Sequence, residues 1–258
     1  NKVSKINKKI NLDLRDVKFL LNPYNFTVNI GTNDSIVLFG TNKLEIKEVK
    51  TNISLKSLIF NEFSVDDLQI STKRIKLDDL ILLARFFKDS TEFFLLNKVI
   101  KSGFLTADIK IEFDGNGNIK KNFQITGFIK NAKLNFLNQI KVSNLNLELD
   151  LKKGKYSLLD IKGIINEIKL SSPLIEVNQK KDQFLVTGKI LTNKKDFDKD
   201  QINMTPFNLI KIPNIEKASL SSENDISFSI NKKLKFSDIA IRSKINIDQL
   251  IVKNNLIY

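Results

Sequence analysis

The side chains present limit the chemistry open to this sequence. Among 258 residues there is no His and no Cys. That removes the commonest general base and neutral metal ligand, along with disulfides and thiolate metal sites. Carboxylates remain, and three groups lie close together in the chain. Asp196, Asp198 and Asp200 alternate like the start of a Ca²⁺ loop. Such a loop needs Gly at its sixth position and Glu at its twelfth, for the sharp turn and the bidentate ligand. Gln201 and Phe207 stand there instead, so the run reads as solvated charge. Asp66 and Asp67 are neighbours on an expected strand and face opposite sides, which rules them out as an acid–base couple. Asp78 and Asp79 fall in a helix first turn, where negative charge suits the dipole. Gly115, Asn116 and Gly117 lack the third Gly and the following helix of a dinucleotide loop. No phosphate loop, activated-serine turn or metal-ligand cluster occurs. The expectation is a protein that is not an enzyme and takes no cofactor, no metal and no small-molecule substrate.

One pattern recurs. Ile125, Gly127 and Ile129 have the form apolar-x-Gly-x-apolar, and so do Ile161, Gly163 and Ile165, and Val186, Gly188 and Ile190. On a strand these three positions share a face. Gly marks places where a sheet bends or something approaches its backbone closely. Two readings follow. The glycines serve bulges or tight packing, or they let the sheet curl into a trough with room for an apolar ligand. On the second reading these nine residues, with Leu145, Leu147 and Leu149, are candidates to line a lipid groove.

The elements that would carry them are strands. Ile10, Leu12 and Leu14 alternate with polar residues, as do Phe26, Val28 and Ile30, Ile109, Ile111 and Phe113, Leu145 to Leu151, and Ile226, Phe228 and Ile230. Each such segment has one apolar and one wet face. Parallel strands buried under helices would be apolar throughout, so the sheet is antiparallel and one-sided. Turn signals stand at Asn22 and Pro23, Asn33 and Asp34, Asp114 to Asn118, Lys153 and Gly154, and Lys180 to Asp182. Their spacing of about 10–15 residues favours a meander. Two stretches break the rhythm. Leu77, Leu80, Ile81, Ala84 and Phe87 recur at helical spacing, and Ser90 can cap a second helix that runs through Phe93, Phe94, Leu96, Val99 and Ile100 to Gly103. This short hairpin either covers an open part of the sheet or touches a membrane interface. Residues 193–213 read as a connector. The expected organisation is an N-terminal β segment (1–76), a helical hairpin (77–102), a central antiparallel segment (103–192), the connector, and C-terminal strands (214–258) that continue beyond the sequence.

The net charge of +13 admits nucleic acid or an anionic surface as partner. The cations are scattered, however, mostly as Lys pairs beside turns such as Lys120 and Lys121 or Lys152 and Lys153. Arg occurs only at Arg15, Arg74, Arg85 and Arg242. A nucleic-acid footprint gathers cations on one face, so no specific nucleic-acid partner is expected. The abundance of Lys, Asn and Ile fits the compositional bias of an AT-rich genome.

Three stretches together resemble the AsmA-like family of Gram-negative bacteria. They are the opening strands from Ile10 to Leu21 with Thr51 to Leu58 and Phe63 to Ile70, the segment Gly103 to Asp114 followed by Ile125 to Leu134, and the repeat-like strand Val142 to Leu149. The likeness spans roughly residues 10–250. It implies an elongated, curved antiparallel sheet with an apolar groove inside and a polar surface outside. It also implies a periplasmic location, an inner-membrane anchor preceding Asn1, and a role in moving phospholipid towards the outer membrane and keeping that membrane intact. The expected partner is a phospholipid or another acyl-chain lipid. Two alternatives stand beside this: a structural or adhesive envelope scaffold, and a groove for lipopolysaccharide. A one-sided sheet must bury its apolar face, and either a second sheet or lipid covers it.

Overall fold

The computed structural model describes residues 10–60, 65–87, 91–116, 120, 123–136, 140–180, 183–203, 215–231 and 235–252. The chain is mainly β, an open antiparallel sheet that is not closed into a barrel, with few short helices. It divides into two compact units, Asn1–Asn166 and Glu167–Tyr258. That boundary falls inside the expected central segment 103–192.

The first unit contains β1 (Ile10–Asp13), β2 (Lys18–Asn22), β3 (Thr27–Phe39), β4 (Asn42–Ser54), helix α1 (Leu55–Ile59), β5 (Val65–Thr72), β6 (Ile75–Lys76), helices α2 (Leu77–Phe87) and α3 (Thr91–Val99), β7 (Ile100–Glu112), β8 (Gln124–Phe136), β9 (Ile140–Lys152) and β10 (Lys155–Ile165). The strand order is β1-β3-β4-β5-β7-β8-β9-β10, with β2 also beside β3 and β6 beside β7. The second unit contains β11 (Ile168–Lys180), β12 (Gln183–Asp198), helix α4 (Lys199–Asn203), β13 (Ile215–Asn231) and β14 (Phe236–Val252), in sheet order. The meander arises because short turns join strands whose apolar residues repeat every second position. Gly154, at φ 71°, turns β9 into β10.

Several expectations change. Residues 193–198 are not connector; they complete β12, and the short helix α4 follows from Lys199. Asn33 and Asp34 are not a turn. They lie inside β3, where Asp34 adopts φ 51°. Gly103 does not end a helix, because α3 stops at Val99 and Gly103 lies within β7 at φ 139°. A Cβ there would come within 2.8 Å of the Ala132 Cα and of Leu77 Cδ1, so the glycine lets β8 and α2 close on β7. Ser90, Gly117, Asn118, Lys181, Asp182, Pro206 and Pro213 lie outside the described residues, as do the side chains of Ala84, Phe87 and Phe93.

The helical hairpin packs on the sheet through α2. Leu77 shares a core cluster with Leu105, Ala107, Ala132, Leu147 and Leu149. Ile75 anchors a neighbouring cluster with Phe39, Leu44 and Ile46, and Leu80 packs against both. Helix α3 leaves Phe94 and Leu96 exposed, with Lys98 Nζ 4.6 Å and the Arg85 guanidinium 5.8 Å from the Phe94 ring.

Candidate functional site

Pairing register gathers apolar side chains on one face in each unit, although Phe128 pairs with Thr106 and Glu148 on the other. In the first unit Ile125 pairs with Ile109 and Leu151, Gly127 with Ala107 and Leu149, and Ile129 with Leu105 and Leu147. Leu145 pairs with Ala132. Ile125, Ile129, Leu145, Leu147, Leu149 and Ile161 therefore meet in one cluster. Leu147 and Leu149 are buried in that core, which Leu77 of α2 joins. They are packed by side chains and do not line an open trough. Ile165, half-buried, pairs with Val142.

In the second unit Val186 pairs with Val177 and Phe228, Gly188 with Ile175 and Ile226, and Ile190 with Asn224. The same face continues onto β14, where Ile241 opposes Ile226 and Phe236 opposes Ile230. The rings of Phe228 and Phe236 lie 5.6 Å apart at 51°. Here the covering is slight. Helix α4 supplies Ile202 to a small cluster with Phe197, Ala218 and Leu220 at one end of the strands. Beyond that end, Phe184, Ile190, Ile226, Phe228 and Ile230 are half-buried, and Phe236, Ile239 and Ile241 remain 62%, 64% and 51% exposed. Among the described residues of this unit, no second layer lies over them.

The glycines have different reasons. At Gly127 a Cβ would stand 2.4 Å from the Thr106 carbonyl oxygen and 2.9 Å from the Ala107 Cα, so the neighbouring backbone requires hydrogen there. At Gly188 it would meet Ile175 Cγ1 at 2.8 Å and the Leu174 oxygen at 2.9 Å, opposite a register shift between Ser171 and Ile175. Gly163 lies in a shift between Lys162 and Ile164, and a Cβ there would find only ordinary contacts, the nearest 3.4 Å away. All three positions fit the first reading, bulges and close packing.

Sequence reasoning passed over the aromatic and aliphatic residues Phe184, Phe228, Phe236, Ile239 and Ile241 as site residues, although their alternation was legible. It also passed over the bulge positions held by Asn and Asp. Asn131, Asn144, Asp160 and Asp238 all have positive φ inside strands. Asn and Asp tolerate that region better than other non-glycine residues, and a bulge bends its strand. Asn146 ties two of them together: its Oδ1 accepts from the Asn131 amide at 3.0 Å, and its Nδ2 donates to the Asn144 oxygen at 2.7 Å. The signal was a break in the alternation at each Asn or Asp.

The opposite face is polar. Ser71, Asp108 and Thr126 stand in one row across β5, β7 and β8, and Ser71 Oγ donates to Asp108 Oδ1 at 2.6 Å. They line a depression of about 370 Å³ with Lys50, Lys110 and Gln124. Asp67 is buried, and its carboxylate accepts from Asn52 Nδ2 and Gln69 Nε2, both at 2.8 Å. Asp196 and Asp198 have structural partners. The Ser219 hydroxyl, and then Lys217, hold Asp196 below the usual carboxylate range, while Asp198 Oδ1 accepts from the Gln201 amide at 2.8 Å and caps α4. Among the described residues, no three carboxylates gather to hold a cation. Comparison with protein-family models, with curated proteins and with solved structures finds no match.

Proposed function

We propose that the chain binds acyl-chain lipid on its apolar sheet face and is a non-catalytic lipid-binding protein of the cell envelope. The observation that carries this reading is the apolar face of β12, β13 and β14, over which no second layer lies among the described residues of its unit and which keeps Phe236, Ile239 and Ile241 largely in water. Fully burying a methylene contributes about 0.8 kcal/mol, and a chain lying on an open face gains part of that at each carbon, which over a dozen or more carbons offsets the cost of ordering it. The headgroup can stay in solvent, as the face is open. The resemblance to the AsmA-like family supplies the rest of the reading: a periplasmic site, attachment to the inner membrane through a segment outside this sequence, and phospholipid as cargo bound for the outer membrane.

The test is native mass spectrometry of the purified chain, followed by lipid extraction. Copurified phospholipid is expected. The double variant Ile239→Lys with Ile241→Lys changes two exposed positions and should fold, and lipid occupancy should fall severalfold. A wild-type chain free of lipid after purification, and still free after incubation with phospholipid vesicles, would refute the reading and favour a structural scaffold. Recovery of lipopolysaccharide in place of phospholipid would move the cargo to that class.

A further inference from the structure

The turn between β2 and β3 and the short helix α1 lie side by side at one end of the β3–β4 hairpin. Thr27 pairs with Ser54 there, and the Leu55 amide donates to the Phe26 oxygen at 2.9 Å. These two segments hold Tyr24, Phe26, Ile59 and Phe60 at 95%, 61%, 75% and 65% exposure. Single exposed apolar residues are ordinary, but several together mark an interaction surface.

The display is built firmly. Asn22 Oδ1 accepts from the amides of Tyr24 and Asn25 at 3.1 and 3.3 Å. Ser54 Oγ accepts from the Ser57 amide at 3.2 Å, and the Phe60 amide donates to the Lys56 oxygen at 3.2 Å. Phe26 adopts φ 51°, a region that bulky L side chains rarely enter. The local hydrogen bonds thus hold aromatic rings in water at a backbone position where Asn or Gly would be easier.

We propose that this knob is a membrane-docking site whose side chains enter the headgroup region of an anionic bilayer. Three features point to a lipid surface. Tyr carries an apolar body and a polar tip, the combination enriched at membrane–water interfaces. The only charged residues in 18–27 and 54–60 are Lys18 and Lys56, both exposed, and cations near an anionic surface add attraction. Neither segment itself carries a carboxylate, so insertion of its side chains desolvates no anion of its own. The proposal does not rest on lipid binding by the sheet face.

The 258-residue chain is floated with vesicles of phosphatidylcholine alone and with about 30% phosphatidylglycerol, the latter to supply negative surface charge. The wild-type chain is expected to float with the anionic vesicles. The quadruple variant Y24S/F26N/I59S/F60S should bind about tenfold less or weaker, a loss that matches removal of the inserted apolar groups. Lys56→Glu should weaken binding to anionic vesicles and leave phosphatidylcholine binding unchanged. If the quadruple variant loses its circular dichroism spectrum, the pair Y24S/F26N confines the change to the turn, where Asn accepts positive φ, and a severalfold loss is expected. A wild-type chain that ignores both vesicle types overturns the proposal and leaves the knob to a protein partner. Undiminished vesicle binding by a folded variant overturns it as well. Lipid extraction of the same variants should show bound lipid unchanged, so a failure of docking and a failure of the sheet-face reading register separately.

Discussion

Gly127 and Gly163 look alike in the sequence, yet they should respond differently to the same substitution. Gly127→Ala drives a methyl into the Thr106 carbonyl and the Ala107 backbone. Overpacking of that kind typically costs about 1–3 kcal/mol. Gly163→Ala meets only ordinary contacts, and the loss of unfolded-state freedom should leave stability unchanged or raised by up to about 1 kcal/mol. Urea unfolding of the two variants checks the pair, and equal destabilisation would contradict the geometry. The sequence showed that glycine shares a face with apolar neighbours. It did not show which neighbour presses on it, because that depends on the register of the adjacent strand. A second residue-scale prediction concerns Asp34, whose Oδ1 lies 2.7 Å from Lys73 Nζ. That contact holds the Asp34 carboxyl below its ordinary value of 3.8 and raises the Lys73 ammonium above 10.5. A carboxyl depressed in the folded state stabilises above its unfolded pKa and loses that contribution as pH falls through the folded one. The Lys73 contribution is present below pH 10.5 and disappears as pH rises through the folded value. Asp34→Asn keeps a residue suited to φ 51° and removes only the charge. Its unfolding midpoint should lie slightly below wild type near neutral pH, since exposed pairs contribute little, and should converge with wild type as pH falls well below 3.8. A gap that persists at low pH would show that the carboxylate acts otherwise.

Helix α2 is the element that decides how much of the first unit's apolar face is dry. Leu77 and Ile81 are buried, and Leu80 packs against both core clusters. Leu77→Ala should destabilise by about 2–5 kcal/mol, the range for truncating a buried Leu. Leu96→Ala on α3 should change stability by no more than about 0.5 kcal/mol, because that side chain is exposed. Chemical denaturation reads both, and a large effect at Leu96 would mean that α3 is covered in solution. Both helices could be read from the spacing of Leu77, Leu80 and Ile81 and from the polar break between them. Strand existence was equally legible, since alternation at Ile109 to Phe113 or Leu145 to Leu151 has one physical reading. Strand length was not. Leu44 to Ile46 and Ile53 look like separate strands, yet both belong to β4, which continues through Lys47 and Glu48 by a register shift against β5. A bulge reverses the alternation without ending the strand, so periodicity alone breaks one long strand into two.

At the scale of the whole molecule, charge and apolar surface are separated by face. The net charge is +13, and several described cations are interleaved with anions on the wet side of the strands. Lys43 pairs with Glu45, Lys50 with Glu48, Lys110 with Glu112 and Lys152 with Asp150. Each pair is two residues apart on one strand, the spacing at which side chains share a face. Across strands, Lys189 reaches Glu223 and Asp225, and Lys217 reaches Asp196. Duplex DNA gains affinity from several cations converging on its phosphates, each releasing a counterion. Each of these cations comes with a carboxylate that would have to approach the phosphates too. At physiological salt, screening over about 8 Å leaves isolated lysines little reach. The expected result of a titration with duplex DNA near physiological salt is binding weaker than about 1 µM, without sequence preference, the non-specific regime. Tight, sequence-selective binding would mean that the lysines converge on a track which their pairing in the structure does not suggest, and would make nucleic acid the partner in place of lipid.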